Sequence, residues 1–97
     1  MLFRSGDAVV PMDDAIARAA VDLGGRAHSE IAVEPDPGMA THMLSSLAQA
    51  TRASIHVQAS GRDAHHVAEA AFKAVGRALR AAVRLDSQGL PTTKGLL

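Results

Sequence analysis

Apolar and polar residues alternate along two short segments of the chain, AHSEIAV and ASIHVQA. In the second segment Ile55, Val57 and Ala59 alternate with polar residues that include His56. Alternation of this kind predicts β-strands with one buried face, so His56 and His28 are expected to be exposed. The stretch DAVVPM is a third strand candidate, and EPDPG favours a turn.

Two further segments have apolar residues at helical spacing. In the first, from Met39 to about Thr51, the spaced residues are Met39, Met43, Leu44 and Leu47. The second runs from about Asp63, a plausible N-cap, to Leu85. At about 100° per residue its buried stripe contains Val67, Ala68, Ala71, Val75, Ala78, Leu79 and Ala82. The polar face contains His66, Glu69, Lys73, Arg77, Arg80 and Arg84, with His65 at the edge of the stripe.

The segment AIARAAVDLGG is ambiguous. Its alanines and leucine favour a helix, whereas Val21 and the glycines that follow favour the end of a strand. Propensity alone predicts a helix here.

Length, composition and charge add further expectations. The chain has 97 residues, which predicts one small domain, and only two aromatic residues, both Phe, so self-association is expected to supply additional burial. It has no cysteine, so any metal must be bound by imidazole and carboxylate groups. The net charge of zero gives no general attraction to nucleic acid or membranes. The chain shows neither an apolar run of about 20 residues nor a signal-peptide pattern, so a cytoplasmic protein is expected.

The motif HHxxE at residues 65–69 is the main candidate for chemistry. His65 and His66 diverge by about 100° around the helix, and Glu69 is within one turn of both. Metal ligands and solvated histidines are both compatible with this spacing. His42, on the preceding helix, is either a third imidazole ligand or an ordinary polar position.

Two basic segments also have alternative interpretations. The row of basic residues on the last helix favours a solvated face over a nucleic-acid stripe, because no aromatic residues are interleaved. The C-terminal GLPTTKGLL suits an anion, although a frayed terminus has the same composition.

Several of these segments together resemble a known enzyme family. RSGDAVVPMDDAIARAAVDLGGR, GRDAHHVAEAAFKAVGRALRAAV and GLPTTKGLL are similar, in this order, to the second half of imidazoleglycerol-phosphate dehydratase of histidine biosynthesis. The resemblance covers nearly the whole chain. It implies a two-layer α+β fold, a β-β-β-α-β-α unit with a left-handed crossover of the ribosomal protein S5 domain 2-like type. AIARAAVDLGG is then a strand.

The resemblance also implies functional residues. His42, His65, His66 and Glu69 match metal ligands, with Mn(II) the implied ion and sites shared between subunits. Glu69 is the implied catalytic carboxylate. Residues 1–97 are one half-dehydratase domain, with residues 86–97 as a phosphate-binding tail. The substrate phosphate is then held by Arg4, Arg26, Thr92 and Lys94.

The implied reaction is the dehydration of imidazole glycerol phosphate to imidazole acetol phosphate. The chain nevertheless differs from an ordinary family member, which is about twice as long and has an additional glutamate near its N-terminus. It also has a glutamine where Ser46 stands here. We therefore expect either a self-assembling half-length dehydratase or a metal-binding homo-oligomer with little turnover. A truncated fragment, and an interaction module with a basic helix, are further alternatives.

Overall fold

The strands of the protein follow the alternation of the sequence. The computed structural model describes residues 4–36 and 38–88, with side chains described up to residue 84. In the second strand every other residue is buried, from Ala15 to Val21. The elements, in chain order, are β1 Ser5–Met12, β2 Ala15–Asp22, β3 His28–Glu34, α1 Ala40–Thr51, β4 Ser54–Ser60 and α2 Ala64–Gln88.

The four strands form one mixed sheet in the order β1-β2-β4-β3. The β1–β2 and β2–β4 pairs are antiparallel, and the β3–β4 pair is parallel. A parallel pair requires a crossover connection, and here α1 provides it. The element order is that of the predicted β-β-β-α-β-α unit, which confirms the α+β fold.

Both helices lie on the same face of the sheet. α2 packs mainly on β1 and β2, whereas α1 packs on β3, where the Ser45 and Ser29 hydroxyls are 3.3 Å apart. The core between the two layers consists of small aliphatic side chains, with Leu44, Ile55 and Val57 among the largest that are fully buried. The opposite face of the sheet is largely exposed, so the chain has two layers.

The segment AIARAAVDLGG is a strand, so the helix that propensity alone predicts is wrong, and the strand that the resemblance implies is confirmed. β2 is hydrogen-bonded to β1 on one side and to β4 on the other. These two neighbours satisfy its backbone groups, and its alternate apolar residues face the helices. Pairing with distant segments therefore overrides the helical propensity of its alanines.

The predicted helices are also present. In α1 only Leu44 and Leu47 of the four spaced residues face the core, since Met39 and Met43 are 61% and 50% exposed. In α2 most of the predicted stripe is buried, and the helix continues to Gln88, into the predicted tail. Among the described residues, no helix is long and apolar enough to span a membrane.

A close contact between α2 and β1 depends on a glycine. Gly6 lies beneath the helix, and a Cβ atom at this position would lie 2.6 Å from the Ala82 nitrogen and 2.8 Å from the Ala81 Cβ. The helix can therefore approach this strand only where the strand has no side chain. Gly76, on the outer surface of α2, has open space around the corresponding position.

Candidate metal and substrate site

One end of the sheet brings together three chain segments that carry acidic and imidazole groups. Ser60 of β4 pairs with Ile16 of β2 on one side and with Glu34 of β3 on the other. The two-residue β1–β2 turn, Asp13 and Asp14, and the first turns of both helices therefore lie at this end. We call it the histidine end, since it carries His42, His65 and His66.

The histidine pair is positioned by the start of α2. The Asp63 Oδ1 atom accepts hydrogen bonds from the backbone N–H groups of His65 (2.8 Å) and His66 (3.2 Å). This confirms Asp63 as the N-cap of the helix. The His65 side chain is 83% exposed, and its Nε2 atom lies 3.4 Å from a carboxylate oxygen of Glu69. Glu69 also lies 3.7 Å from the Lys73 ammonium, one turn further along.

His66 faces the β1–β2 turn instead of Glu69. Its Nδ1 atom lies 2.7 Å from Asp14 Oδ1, and its Nε2 atom lies 3.7 Å from Asp13 Oδ2. The other Asp14 oxygen accepts hydrogen bonds from the backbone N–H groups of Arg62 (2.7 Å) and Asp63 (2.9 Å). Asp14 thus connects the turn to the start of α2 across about half the chain.

These contacts change the acidity of both groups. The hydrogen bond with His66 holds the pKa of the Asp14 carboxyl well below its usual range, and the Asp63 and Arg62 N–H groups lower it further. The same hydrogen bond, which the Asp14 carboxylate accepts, raises the pKa of His66, although partial burial opposes the rise. Hydrogen bonds to the ionised form and opposite charges both favour a charged pair.

The start of α1 is capped in a different way. Met39 at the N-cap position makes no side-chain capping bond. Asp36 instead accepts hydrogen bonds from the N–H groups of Ala40 and Thr41 and from the Thr41 hydroxyl. The Thr41 hydroxyl contributes most to lowering the pKa of Asp36 to about 2. His42, the next residue, is exposed in this first turn.

Removing the Asp36 cap should destabilise α1. We expect Asp36→Ala to lower the midpoint of thermal unfolding by about 4–8 °C at pH 6, because the first N–H groups of the helix lose their acceptor. The folded pKa of Asp36, about 2, is below the ordinary aspartate value of 3.8. The stabilising contribution of the Asp36 carboxylate is therefore complete above pH 3.8 and is lost as the pH falls towards 2.

Urea unfolding of wild type and variant between pH 3 and pH 6 measures this effect. Asp7→Ala, on the outer face of β1, is the control for the loss of one carboxylate. A difference between Asp36→Ala and wild type that did not shrink at low pH would contradict the assignment of the ionised carboxylate as the cap.

The predicted phosphate residues lie elsewhere. Arg4 precedes β1 and donates a hydrogen bond to the Leu23 carbonyl (2.7 Å), and Arg26 is exposed in the β2–β3 loop. Both positions are at the end of the sheet opposite the histidine end. Along β2 the distance from Ile16 to Asp22 is roughly 20 Å at about 3.3 Å per residue. The other two predicted residues, Thr92 and Lys94, lie outside the described residues.

Within one chain the predicted metal ligands do not form a complete site. Among the residues that the structure describes, no group of three or more His, Asp or Glu side chains is arranged to hold a metal ion. His65 and Glu69 form one pair, His66 faces Asp14, and His42 lies on the other helix. As predicted, His28 and His56 are exposed. They lie on the open face of the sheet, where His28 contacts Glu30 at 3.0 Å.

The site residues predicted from the sequence do not include Asp13, Asp14 or Asp36. The available signal was the pair of aspartates between two strand segments, because a two-residue hairpin loop favours Asp, and Asp13 has a positive φ of 52°. That signal locates the turn. It does not indicate that Asp14 contacts a histidine 52 residues away.

Comparisons with known proteins agree with the fold and with the motifs. Residues 1–79 match the family described as imidazoleglycerol-phosphate dehydratase. The chain is 49% identical to the enzyme of that name from Frankia casuarinae and 51% identical to that from Pyrobaculum calidifontis. In both cases the match covers 97% of this chain and 54% of the relative.

Solved structures give the same result. The dehydratase from Pyrococcus furiosus in complex with (S)-C348 superimposes with a TM-score of 0.75 at 36% identity, over 98% of this chain and 58% of that chain. The enzyme from Staphylococcus aureus gives a TM-score of 0.73 at 29% identity, over 84% of this chain and 54% of that chain. The chain spans about half the length of these relatives. It belongs to the imidazoleglycerol-phosphate dehydratase family.

Proposed function

We propose that this chain is a half-length dehydratase unit that converts imidazole glycerol phosphate to imidazole acetol phosphate in histidine biosynthesis. The observation that carries the proposal is the histidine end of this member of the family. There the starts of both helices and the β1–β2 turn hold imidazole and carboxylate groups. The unit acts in the cytoplasm as a homo-oligomer and depends on a divalent metal ion.

The donor chemistry fits Mn(II). Imidazole nitrogens and carboxylate oxygens suit manganese and its divalent neighbours, and the chain has no competing thiolate. His42, His65, His66 and Glu69 would hold the ion, which supplies a positive charge that stabilises an anionic form of the substrate. Two copies together offer six of these histidines and two glutamates. This corresponds to three imidazoles and one carboxylate for each of two ions.

Glu69 is the proposed proton-transfer group. Its carboxylate is 43% exposed and lies between His65 and Lys73 on the first turns of α2. A partly exposed carboxylate can reach a bound substrate and exchange a proton with it. We assign to Glu69 the removal or return of the proton during the elimination of water.

The distance between the proposed phosphate-binding arginines and the proposed metal ligands requires more than one chain at each site. The arginines proposed to bind phosphate are roughly 20 Å from the histidine end, further than a small phosphorylated imidazole can span. Arg4 and Arg26 of one copy would therefore serve a substrate that is held at the histidine end of another. This geometry supports sites shared between chains.

The outer surface of the helices supports pairing with a second copy. Phe72 and Val83 are 38% and 55% exposed, and they lie within about 40° of Gly76 around α2. An exposed apolar row with a glycine at its centre allows two helices to approach closely. Because the proposed sites are shared between chains, we assign this row to a second copy of the same chain.

A second function is favoured by the departures from the family. Ser46 is exposed on α1, one turn after His42, where the resemblance places a glutamine. The glutamate expected near the N-terminus of a full-length member has no separate counterpart here. The alternative is a homo-oligomer that binds metal with the dehydratase fold but has little or no turnover.

Metal content and assembly are expected to change together. The purified protein should bind about one Mn(II) per chain, and His66→Ala should lose most of it, because each chain supplies three imidazoles and one carboxylate. Chelator should shift the protein to smaller species, since shared ligands couple binding to assembly. Light scattering and metal analysis on the same sample measure both.

His56→Ala is the matched control, because His56 lies on the open face of the sheet, away from the histidine end. It should retain both the metal and the mass of the wild-type protein. Absence of metal from manganese-treated wild type would contradict the ligand assignment. A mass that is unchanged by chelator would show that apolar burial alone holds the assembly.

Titration calorimetry with imidazole glycerol phosphate tests the function itself. The manganese-loaded protein should release heat on binding, and the chelated protein should release little. No heat at millimolar substrate would contradict both the phosphate assignment and the dehydratase proposal. Binding without dehydration would favour the alternative.

A further inference from the structure

Asp14 lies in the β1–β2 turn but also contacts residues at the start of α2. One oxygen of its carboxylate accepts hydrogen bonds from the backbone N–H groups of Arg62 and Asp63. The other oxygen contacts the His66 ring. The side chain is only 12% exposed. An acceptor fixed on both oxygens can hold its partner ring in one orientation.

The direction of the hydrogen bond determines the state of the His66 ring. An ionised carboxylate only accepts hydrogen bonds, so the Nδ1 atom of His66 must carry the hydrogen. In the neutral ring the lone pair is then on Nε2. This atom lies on the side away from Asp14, and the 76% exposed carboxylate of Asp13 is 3.7 Å from it.

We propose that Asp14 is a positioning residue that fixes His66 in its Nδ1–H tautomer and directs Nε2 towards an incoming divalent cation, beside the Asp13 carboxylate. The inference rests on the proposed function only for the identity of the ligand. Histidines that bind metals commonly donate their second N–H to a carboxylate in this way, which fixes the ring and increases its basicity. Asp13 supplies negative charge at the open side.

The alternative is that Asp14 only links the turn to the helix. Asp14→Asn separates the two roles. The asparagine oxygen can still accept from the Arg62 and Asp63 N–H groups, so the link is preserved. Its NH₂ group, however, donates towards His66 and favours the Nε2–H tautomer, in which the metal-binding nitrogen is blocked.

The test has two readouts on the full chain. The ring ¹⁵N chemical shifts of His66 in metal-free protein, followed towards alkaline pH until they no longer change, report the tautomer of the neutral ring. Calorimetry with MnCl₂ reports the affinity. We expect the Nδ1–H form in wild type, the Nε2–H form in Asp14→Asn, and about 10–100-fold weaker manganese binding by the variant. Asp7→Asn removes the same charge from the outer face of β1 and should change neither readout.

An Nε2–H tautomer in the wild-type protein would overturn the inference even if the variant failed to fold. Equal manganese affinity of wild type and Asp14→Asn would also overturn it. Asp14 would then only link the β1–β2 turn to the start of α2. If wild type has the Nδ1–H form but binds no manganese, the positioning of His66 stands and the proposed metal dependence fails.

Discussion

Dehydration of imidazole glycerol phosphate by the manganese-loaded chain is expected to be about 10²–10⁴ times slower than by a full-length family member. Loss of one positioned acid, base or orienting group typically costs this much in rate. The resemblance implies one such group, a glutamate near the N-terminus, that none of these 97 residues matches separately, and a glutamine at the position of Ser46. The proposed metal ligands, which include Glu69, are present in each copy, so residual turnover should require metal.

Ser46→Gln tests the reason for the slow rate. Ser46 lies one turn after His42 on an exposed face of α1, and a glutamine there should restore part of the rate. Ala50→Gln, exposed at the far end of the same helix, is the control and should leave the rate unchanged. The formation of imidazole acetol phosphate is measured with and without chelator. A rate equal to that of full-length enzymes, or one that persists without metal, would refute this prediction.

The second large effect concerns folding. Gly6→Ala is expected to reduce the free energy of unfolding by at least about 3 kcal/mol, because the new methyl group would overlap the backbone of α2. A domain of this length is typically stable by about 5–15 kcal/mol, so this loss is a large fraction of its stability. Urea unfolding followed by far-ultraviolet circular dichroism measures the change.

Gly76→Ala is the matched control. It introduces the same methyl group at an exposed position of α2 with open space around it, and should stabilise the helix by about 0.5–1 kcal/mol. If Gly76 lies where two copies meet, the same substitution should weaken the oligomer. Wild-type stability of Gly6→Ala would show that β1 and α2 are further apart in solution.

The elements that could be predicted from the sequence alone are those with a local signal. The alternation in β4 correctly separates buried Ile55 and Val57 from exposed His56, and the angular pattern of α2 identifies most of its buried face. β2 lacks such a signal, because its alanines suit a helix as well as a strand. The pairing with β1 and β4 that determines its conformation is not local, and only the resemblance indicated it.

The candidate site shows the same limit. The HHxxE motif and its cap at Asp63 are local, and the sequence predicts both. The contact between Asp14 and His66 joins residues 52 positions apart, and the separation of Arg26 from the histidine end depends on the order of the strands. Neither can be obtained from spacing along the chain. The roles of the predicted ligands and phosphate residues remain predictions.

The strand order also has a consequence for the time course of folding. Among the described strands, β3 has β4 as its only neighbour, although β4 follows it by a whole helix. Of the three described strand pairs, only β1–β2 joins neighbouring segments, and the other two join distant parts of the chain. Mixed α/β domains fold more slowly than helical bundles, because the loop-closure entropy of distant pairings opposes folding. We expect the hairpin to be protected early and the histidine end to be completed last.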